Sequence, residues 1–215
     1  MTVFCFVAAS NAFNMVDGID SLCTGLGIIC FTTLGALILL GDTPLASTMI
    51  TPLLVVLAAL LPLYVANLGL LGPGFRVFLG DAGARLIGFI AAIALILAAR
   101  NDLIKPVMAF FPIAVPVCDC LVLMGLRMLH GRSPVSADRL HLHHLLQDLG
   151  YSPGQTRRLI LSLATGFSVC GIAFQLTGPT EWMVSLFVVV SFWAFIAFRF
   201  WLMRLHTARQ ARPED

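Results

Sequence analysis

The sequence predicts an all-α, polytopic bundle of membrane helices. Of its 215 residues, 59% are hydrophobic and 11% are charged, whereas soluble domains have roughly 45–50% and about 25%. Apolar runs recur along the chain, and each approaches the ~20 residues that a helix needs to span a bilayer. We therefore expect about six full spans and a partial one at the N-terminus.

The elements follow from these runs. The partial segment covers about 3–15, and the full spans are predicted at 22–40, 45–68, 83–99, 106–128, 159–176 and 182–203. Prolines at 52, 62, 112 and 116 fall inside spans, which membrane helices tolerate when neighbours satisfy the freed carbonyls. Residues 1–203 are thus predicted to form one transmembrane domain with a long loop at 129–158, and residues 204–215 a basic tail.

The basic residues predict an orientation. When successive connections alternate between two sides, only Arg100 and Lys105 of the 13 Lys and Arg residues fall on one side. The positive-inside rule places the other side, with the C-terminal tail, in the cytoplasm. A net charge of +2 without a basic stripe argues against a nucleic-acid partner. A transporter is disfavoured because the polar groups collect at one face and form no path across.

The first polar cluster lies between the partial segment and the first full span. Asn11, Asn14 and Asp17 are spaced by three, so a helix places them on one side, and Gly18 and Asp20 follow. The amides could bind a base or sugar hydroxyls, and carboxylates at this depth are costly unless they meet a cation or a donor. The alternative is a polar turn at the membrane surface.

The second cluster is centred on Asp81, between Gly80 and Gly83. Small neighbours allow a ligand to approach the carboxylate. Magnesium prefers one or two carboxylates together with phosphate oxygens and water, so Asp17, Asp20 and Asp81 on one face suit a metal–diphosphate site. The alternative is that Asp81 caps the helix that starts near Gly83.

The third cluster is His141, His143 and His144, preceded by Arg139 in the long loop. Imidazoles and a guanidinium beside the bilayer could bind a diphosphate and offset its developing charge. A transition-metal site and a solvated basic loop are the alternatives, and zinc lacks any supporting cysteine spacing.

Asp119 lies inside a predicted span. An intramembrane carboxylate indicates either a functional site or a buried hydrogen bond between helices, and both interpretations remain open. Arg127, eight residues further on, is a weak candidate for its partner.

Three stretches carry a family resemblance. Residues 11–20 (NAFNMVDGID), 77–83 (VFLGDAG) and 133–145 (SPVSADRLHLHHL) resemble, in order, motifs of the bacterial polyprenyl-phosphate N-acetylhexosamine-1-phosphate transferases. The resemblance is strongest to the branch that acts on undecaprenyl phosphate and N-acetylglucosamine. With 61–72 resembling the linking segment, it covers nearly the whole chain.

The resemblance implies a reaction on two substrates. A UDP-N-acetylhexosamine donates its sugar 1-phosphate to undecaprenyl phosphate and releases UMP, with Mg²⁺ as cofactor and Mn²⁺ as an alternative. The product would start a lipid-linked envelope glycan, such as O-antigen, exopolysaccharide or a teichoic-type polymer, at the inner membrane. Asp81 resembles the metal ligand, and His141, His143 and His144 resemble the residues that engage the diphosphate.

The remaining residues resemble a nucleotide-sugar site. Asn14 and Asp17 match positions that line it, while Gly18 and Asp20 match those that meet uracil. Phe78 matches the stacking partner of the base. Catalysis would then depend on positioning and charge neutralisation, because the lipid phosphate is already an anionic nucleophile.

The sequence also departs from the family pattern. Position 21 is Ser where the family usually has Gly, and Ala84-Arg85 replaces a customary Ser followed by a small or apolar residue. The family's Asp-Asp motif is absent, so we expect a C-terminal portion of the transferase fold. An N-terminal half in trans or a second copy of the chain is an expected partner, and an inactive or split fragment that binds without turnover is the alternative.

Overall fold

The computed structural model describes residues 2–41, 43–134 and 140–210. The structure is 82% helical, and the described residues include no strand. The helices are α1 (Thr2–Val16), α2 (Leu22–Leu40), α3 (Ala46–Asn67), α4 (Gly80–Arg100), α5 (Phe110–Leu129), α6 (Leu142–Asp148), α7 (Pro153–Thr177) and α8 (Glu181–Gln210), with short 3₁₀ turns at Pro73–Phe75 and Pro106–Ala109.

The predicted span count is confirmed. Six helices of the described chain are long and apolar enough to cross a membrane, and α1, at 15 residues, matches the partial segment. The boundaries differ where local chemistry extends a helix beyond its apolar run. At α7, Ser152 and Gln155 form a reciprocal capping box with Pro153 in the first turn, so this helix begins six residues before the predicted position 159.

The bundle is built around α2, the most enclosed of the spanning helices. It packs against α3, α4, α5 and α7, while α1 lies in the groove between α4 and α5. At Gly88 the backbones of α4 and α1 come so close that a Cβ atom would lie 2.4 Å from the carbonyl oxygen of Ala9. Glycine therefore sets the distance at which α1 docks.

The connections after α1, α3 and α5 meet at one end of the bundle. Arg76, which precedes α4, lies 4.0 Å from the Asp20 carboxylate, and Arg157 of α7 donates to the Asp20 carbonyl oxygen at 3.2 Å. Gly18 touches the ring of His143 in α6. The three predicted polar clusters therefore belong to one surface.

Ser21 adopts a conformation that favours glycine. It is 4% exposed, has φ of 68°, and its hydroxyl has no hydrogen-bond partner. We expect Ser21→Gly to stabilise the protein by about 1 kcal/mol, because left-handed backbone is strained for an L residue. Thermal unfolding followed by tryptophan fluorescence should show a Tm roughly 2–4 °C higher. Ser21→Ala keeps the strain, so an equal gain in that variant would contradict this explanation.

Candidate functional site

The first cluster opens into a small cavity. Asp17, Gly18 and Asp20 line it together with Asn67 and the exposed ring of Phe78. This arrangement brings the predicted partners of the base to one place, although 57 residues lie between Asp20 and Phe78 in the sequence. The fold therefore places Phe78 beside the first cluster, and its stacking on uracil remains a prediction.

A larger polar cavity of about 510 Å³ adjoins this one and shares Gly18, Asp20 and Asn67 with it. Two guanidinium groups, Arg76 and Arg157, stand at its wall. Cations beside a cavity of this kind can bind phosphate oxygens. The sequence analysis did not identify these two residues as part of a site, because a single arginine at the end of a span indicates only the orientation of the chain in the membrane.

Asn67, also missed, holds the segment that leads to Asp81. It is 8% exposed at the end of α3, and its Oδ1 accepts a hydrogen bond of 3.1 Å from the Val77 backbone N–H. An asparagine at the end of a predicted span is a signal that sequence reasoning could have used, because an amide that becomes buried there needs a hydrogen-bond partner. The contact fixes the chain immediately before Phe78.

Asp81 lies in the first turn of α4, which begins at Gly80. The capping alternative is wrong, because the N-cap position is Leu79 and makes no side-chain cap. The Asp81 side chain is 80% exposed and lies 3.8 Å from the guanidinium of Arg85, one turn further on. The departure from the family pattern at position 85 thus places a cation against the residue predicted to be the metal ligand.

The carboxylates of this surface repel one another. Burial, followed by the charges of Asp81 and Asp20, raises the pKa of Asp17 to about 6. Among the described residues, no group of three His, Cys, Asp or Glu side chains is arranged to hold a metal ion unaided. A site of one or two carboxylates completed by phosphate oxygens and water fits this donor set, as Mg²⁺ prefers.

The raised pKa of Asp17 predicts a pH-dependent stability. Between about pH 4 and pH 6 the folded protein keeps a proton on Asp17 that the unfolded chain has released. The free energy of unfolding therefore falls as the pH rises through that window. We expect Asp17→Asn to raise the Tm of metal-free protein most at about pH 7.5 and clearly less at about pH 4.5. Mg²⁺ should shrink the difference; an equal gain at both pH values would contradict the prediction.

His141 and His143 are buried, at 7% and 2% exposure. The solvated-loop alternative is therefore wrong for these two rings. His143 lies against the rings of His141 and His144, with centroids 5.9 and 4.1 Å away. Burial, aided by the neighbouring imidazoles, lowers the pKa of His143 to about 3. A neutral imidazole in this position could engage a diphosphate as a hydrogen-bond donor.

The other predicted residues differ in how they are placed. Asn11 is partly buried on α1, and Asn14 keeps its Oδ1 buried without a hydrogen-bond partner, three residues before Asp17. Arg139 lies outside the described residues. The roles predicted for all of these side chains remain predictions.

Asp119 has partners that the sequence did not suggest. Its carboxylate lies 3.1 Å from Nδ1 of His141 and 3.1 Å from the guanidinium of Arg199, and it accepts a hydrogen bond of 3.2 Å from the Leu142 backbone N–H. Arg127, the candidate named from spacing, donates instead to the Pro134 carbonyl oxygen at 2.7 Å.

Comparison with known proteins assigns the chain to a family. The sequence model of the family described as Glycosyl transferase family 4 matches residues 1–99 of the chain. Undecaprenyl-phosphate alpha-N-acetylglucosaminyl 1-phosphate transferase of Yersinia pestis is 40% identical over 194 residues, or 88% of this chain and 52% of that protein. The chain belongs to glycosyl transferase family 4. It resembles the undecaprenyl-phosphate N-acetylglucosamine branch, as the three motifs predicted.

Further relatives agree. The protein of the same name from Escherichia coli K12 is 36% identical over 199 residues, covering 91% of this chain and 53% of its own length. That from Pasteurella multocida is 37% identical over 129 residues, covering 59% of this chain and 36% of its own length. This family 4 chain spans about half the length of the first two relatives.

Gly18 is the point at which the first and third clusters of this family 4 chain meet. A Cβ atom there would lie 2.1 Å from Nε2 of His143, whose ring is confined by its buried neighbours. We expect Gly18→Ala to cost about 1–3 kcal/mol of stability through overpacking. In a thermal unfolding series, His143→Ala should recover much of that loss when combined with Gly18→Ala. Simple additivity of the two changes would refute the contact.

Proposed function

We propose that this chain carries out, alone or with further protein, the transfer of N-acetylglucosamine 1-phosphate from UDP-N-acetylglucosamine to undecaprenyl phosphate. The observation that carries the proposal is that the segment 11–20 meets the other two: Gly18 and Asp20 line one cavity with Phe78, and Gly18 lies against the ring of His143. The names of the family 4 relatives, which specify undecaprenyl phosphate and N-acetylglucosaminyl 1-phosphate, support the substrate pair.

The chemistry is a phosphoryl transfer. An oxygen of undecaprenyl phosphate attacks the phosphorus that bears the sugar, the bond from that phosphorus to the bridging oxygen breaks, and UMP leaves with the bridging oxygen and its electron pair. Because the nucleophile is already an anion, it needs alignment and charge neutralisation more than a base. The product is undecaprenyl diphosphate linked to N-acetylglucosamine.

The residues divide into three tasks. Asp81, with Asp17 nearby, would hold Mg²⁺, which when bound neutralises charge on the diphosphate. Asp20 would accept hydrogen bonds from the uracil, and the exposed Phe78 ring would stack on it. The guanidinium of Arg157, at the wall of the adjoining cavity, would bind a phosphate oxygen of the donor.

The proposal includes a location. We place the site at the cytoplasmic face of a bacterial inner membrane, supported by the unequal distribution of basic residues between the two ends of the helices. The further step into O-antigen, exopolysaccharide or teichoic-type polymers belongs to the proposal only as a class of lipid-linked glycan.

The decisive experiment measures both products. Membranes that contain the chain, alone or with the N-terminal half of a relative, are given radiolabelled UDP-N-acetylglucosamine, undecaprenyl phosphate and Mg²⁺ or Mn²⁺. We expect UMP release matched by label in the lipid phase, and loss of both in EDTA. UDP-sugar binding without transfer in either preparation would support a non-catalytic family member, and absence of both binding and transfer would overturn the proposal.

A further inference from the structure

Arg199 of α8 is fully buried, at 0% exposure, and faces the start of the histidine segment, which we define as residues 140–149. Nη1 of its guanidinium forms an ion pair with the Asp119 carboxylate at 3.1 Å, and Nη2 donates a hydrogen bond to the Leu140 carbonyl oxygen. The same carboxylate binds His141 and the Leu142 backbone N–H. One buried ion pair therefore contacts three consecutive residues of the histidine segment.

An ion pair is not what helix packing alone requires here. Removing a guanidinium and a carboxylate from water is costly, and apolar side chains of similar volume could join α5 and α8 without that cost. The ion pair instead makes directional contacts. The guanidinium reaches both the carboxylate and the backbone of residue 140, and the two carboxylate oxygens contact the ring or backbone of residues 141 and 142. The arrangement suits a segment that must hold one position.

Two further contacts tie α8 to the far end of the same segment. His206 lies 3.4 Å from the Asp148 carboxylate, and Arg209 donates to the Leu149 carbonyl oxygen. The last helix thus holds the histidine segment at both its ends. Between these attachments, the segment presents His143 to Gly18 at the candidate site.

We propose that Arg199 is a positioning residue, which acts through Asp119 and Leu140 to hold the histidine segment against the first cluster. This inference rests on the proposed function for its catalytic consequence, but the position of the segment can be measured without turnover. Lysine cannot replace arginine here, because one ammonium group lacks the fork that reaches both the carboxylate and the carbonyl.

The test uses hydrogen exchange of the purified chain, read by mass spectrometry for peptides within 140–149. We compare Arg199→Lys with the double variant Asp119→Asn/Arg199→Met, which leaves no unpaired buried charge to prevent folding. Arg204→Met, an exposed arginine on the same helix, is the matched control. Both test variants should exchange these amides faster by about tenfold or more, the factor expected for a lost charge-assisted hydrogen bond. The control should match the unaltered chain.

Unchanged exchange in 140–149 for both test variants would overturn the inference. So would equal loss of protection throughout α2 and α5, since that would make Arg199 a residue that merely holds the fold. Where turnover is measurable, kcat should fall in both test variants with little change in the KM for UDP-N-acetylglucosamine. If the unaltered chain shows no turnover either alone or with the N-terminal half of a relative, the proposed transfer fails, and the exchange result still decides the positioning role.

Discussion

Asp81→Asn should reduce Mg²⁺-dependent UMP release by on the order of 10²–10³-fold, while the protein still inserts and folds. Asparagine has nearly the same shape but no charge, so it removes attraction for a cation and little else. The side chain is 80% exposed, and its one ion pair, with Arg85, is of the surface kind that contributes little stability. A loss of activity without a loss of stability would therefore report the metal site.

The measurement pairs the UMP assay with thermal unfolding. Asp102→Asn is the matched control, because Asp102 is an exposed aspartate that follows α4, whereas Asp81 lies at the beginning of that helix. Asparagine also tolerates the positive φ of 55° that Asp102 adopts. If Asp81→Asn retains rates within a fewfold of the unaltered chain, Asp81 is not the metal ligand.

Gly88→Ala should weaken the docking of α1. The added Cβ would lie 2.4 Å from the Ala9 carbonyl oxygen and 2.8 Å from Cα of Ser10, and these are backbone atoms that no side-chain rotation can move away. We expect a cost of about 1–3 kcal/mol or somewhat more, as for overpacked cores. Because α1 carries Asn14 and leads into Asp17, the affinity for the UDP-sugar should fall together with the stability of the fold.

Thermal unfolding and binding of labelled UDP-N-acetylglucosamine measure the two effects of this substitution. Gly166→Ala is the matched control, since that glycine lies in α7 with open space around the added atom. There, alanine should leave stability unchanged or raise it, because it lowers the entropy that the unfolded chain gains. A Gly88→Ala protein as stable as this control would show that α1 and α4 do not approach as closely as the structure has them.

The sequence allowed more of the fold to be predicted than of the site. The spans were accessible because apolar length is a local property, and the partial segment at α1 was recognised for the same reason. Helix ends were less accessible: α7 begins six residues before its apolar run because Ser152 and Gln155 cap it. Capping depends on geometry that hydropathy does not register.

The candidate site shows the same division. The polar clusters could be assigned to one end of the bundle by counting connections, and their motifs indicated a sugar-phosphate transferase. The sequence did not reveal that His143 is buried against Gly18, or that Arg76 and Arg157 flank Asp20. Each of these contacts joins segments far apart in the chain, and no pattern along the chain reports distance across it.

Composition and the order of motifs thus determined the membrane class, the number of spans and the family to which the chain belongs. Only the tertiary structure decided which side chains act on one another, and Asp119 is the clearest case. Spacing offered Arg127 on its own helix, whereas packing brought Arg199 from the last helix, 80 residues later, into the carboxylate. A buried charge takes the partner that the fold places beside it, and that placement is set by how all the helices pack together.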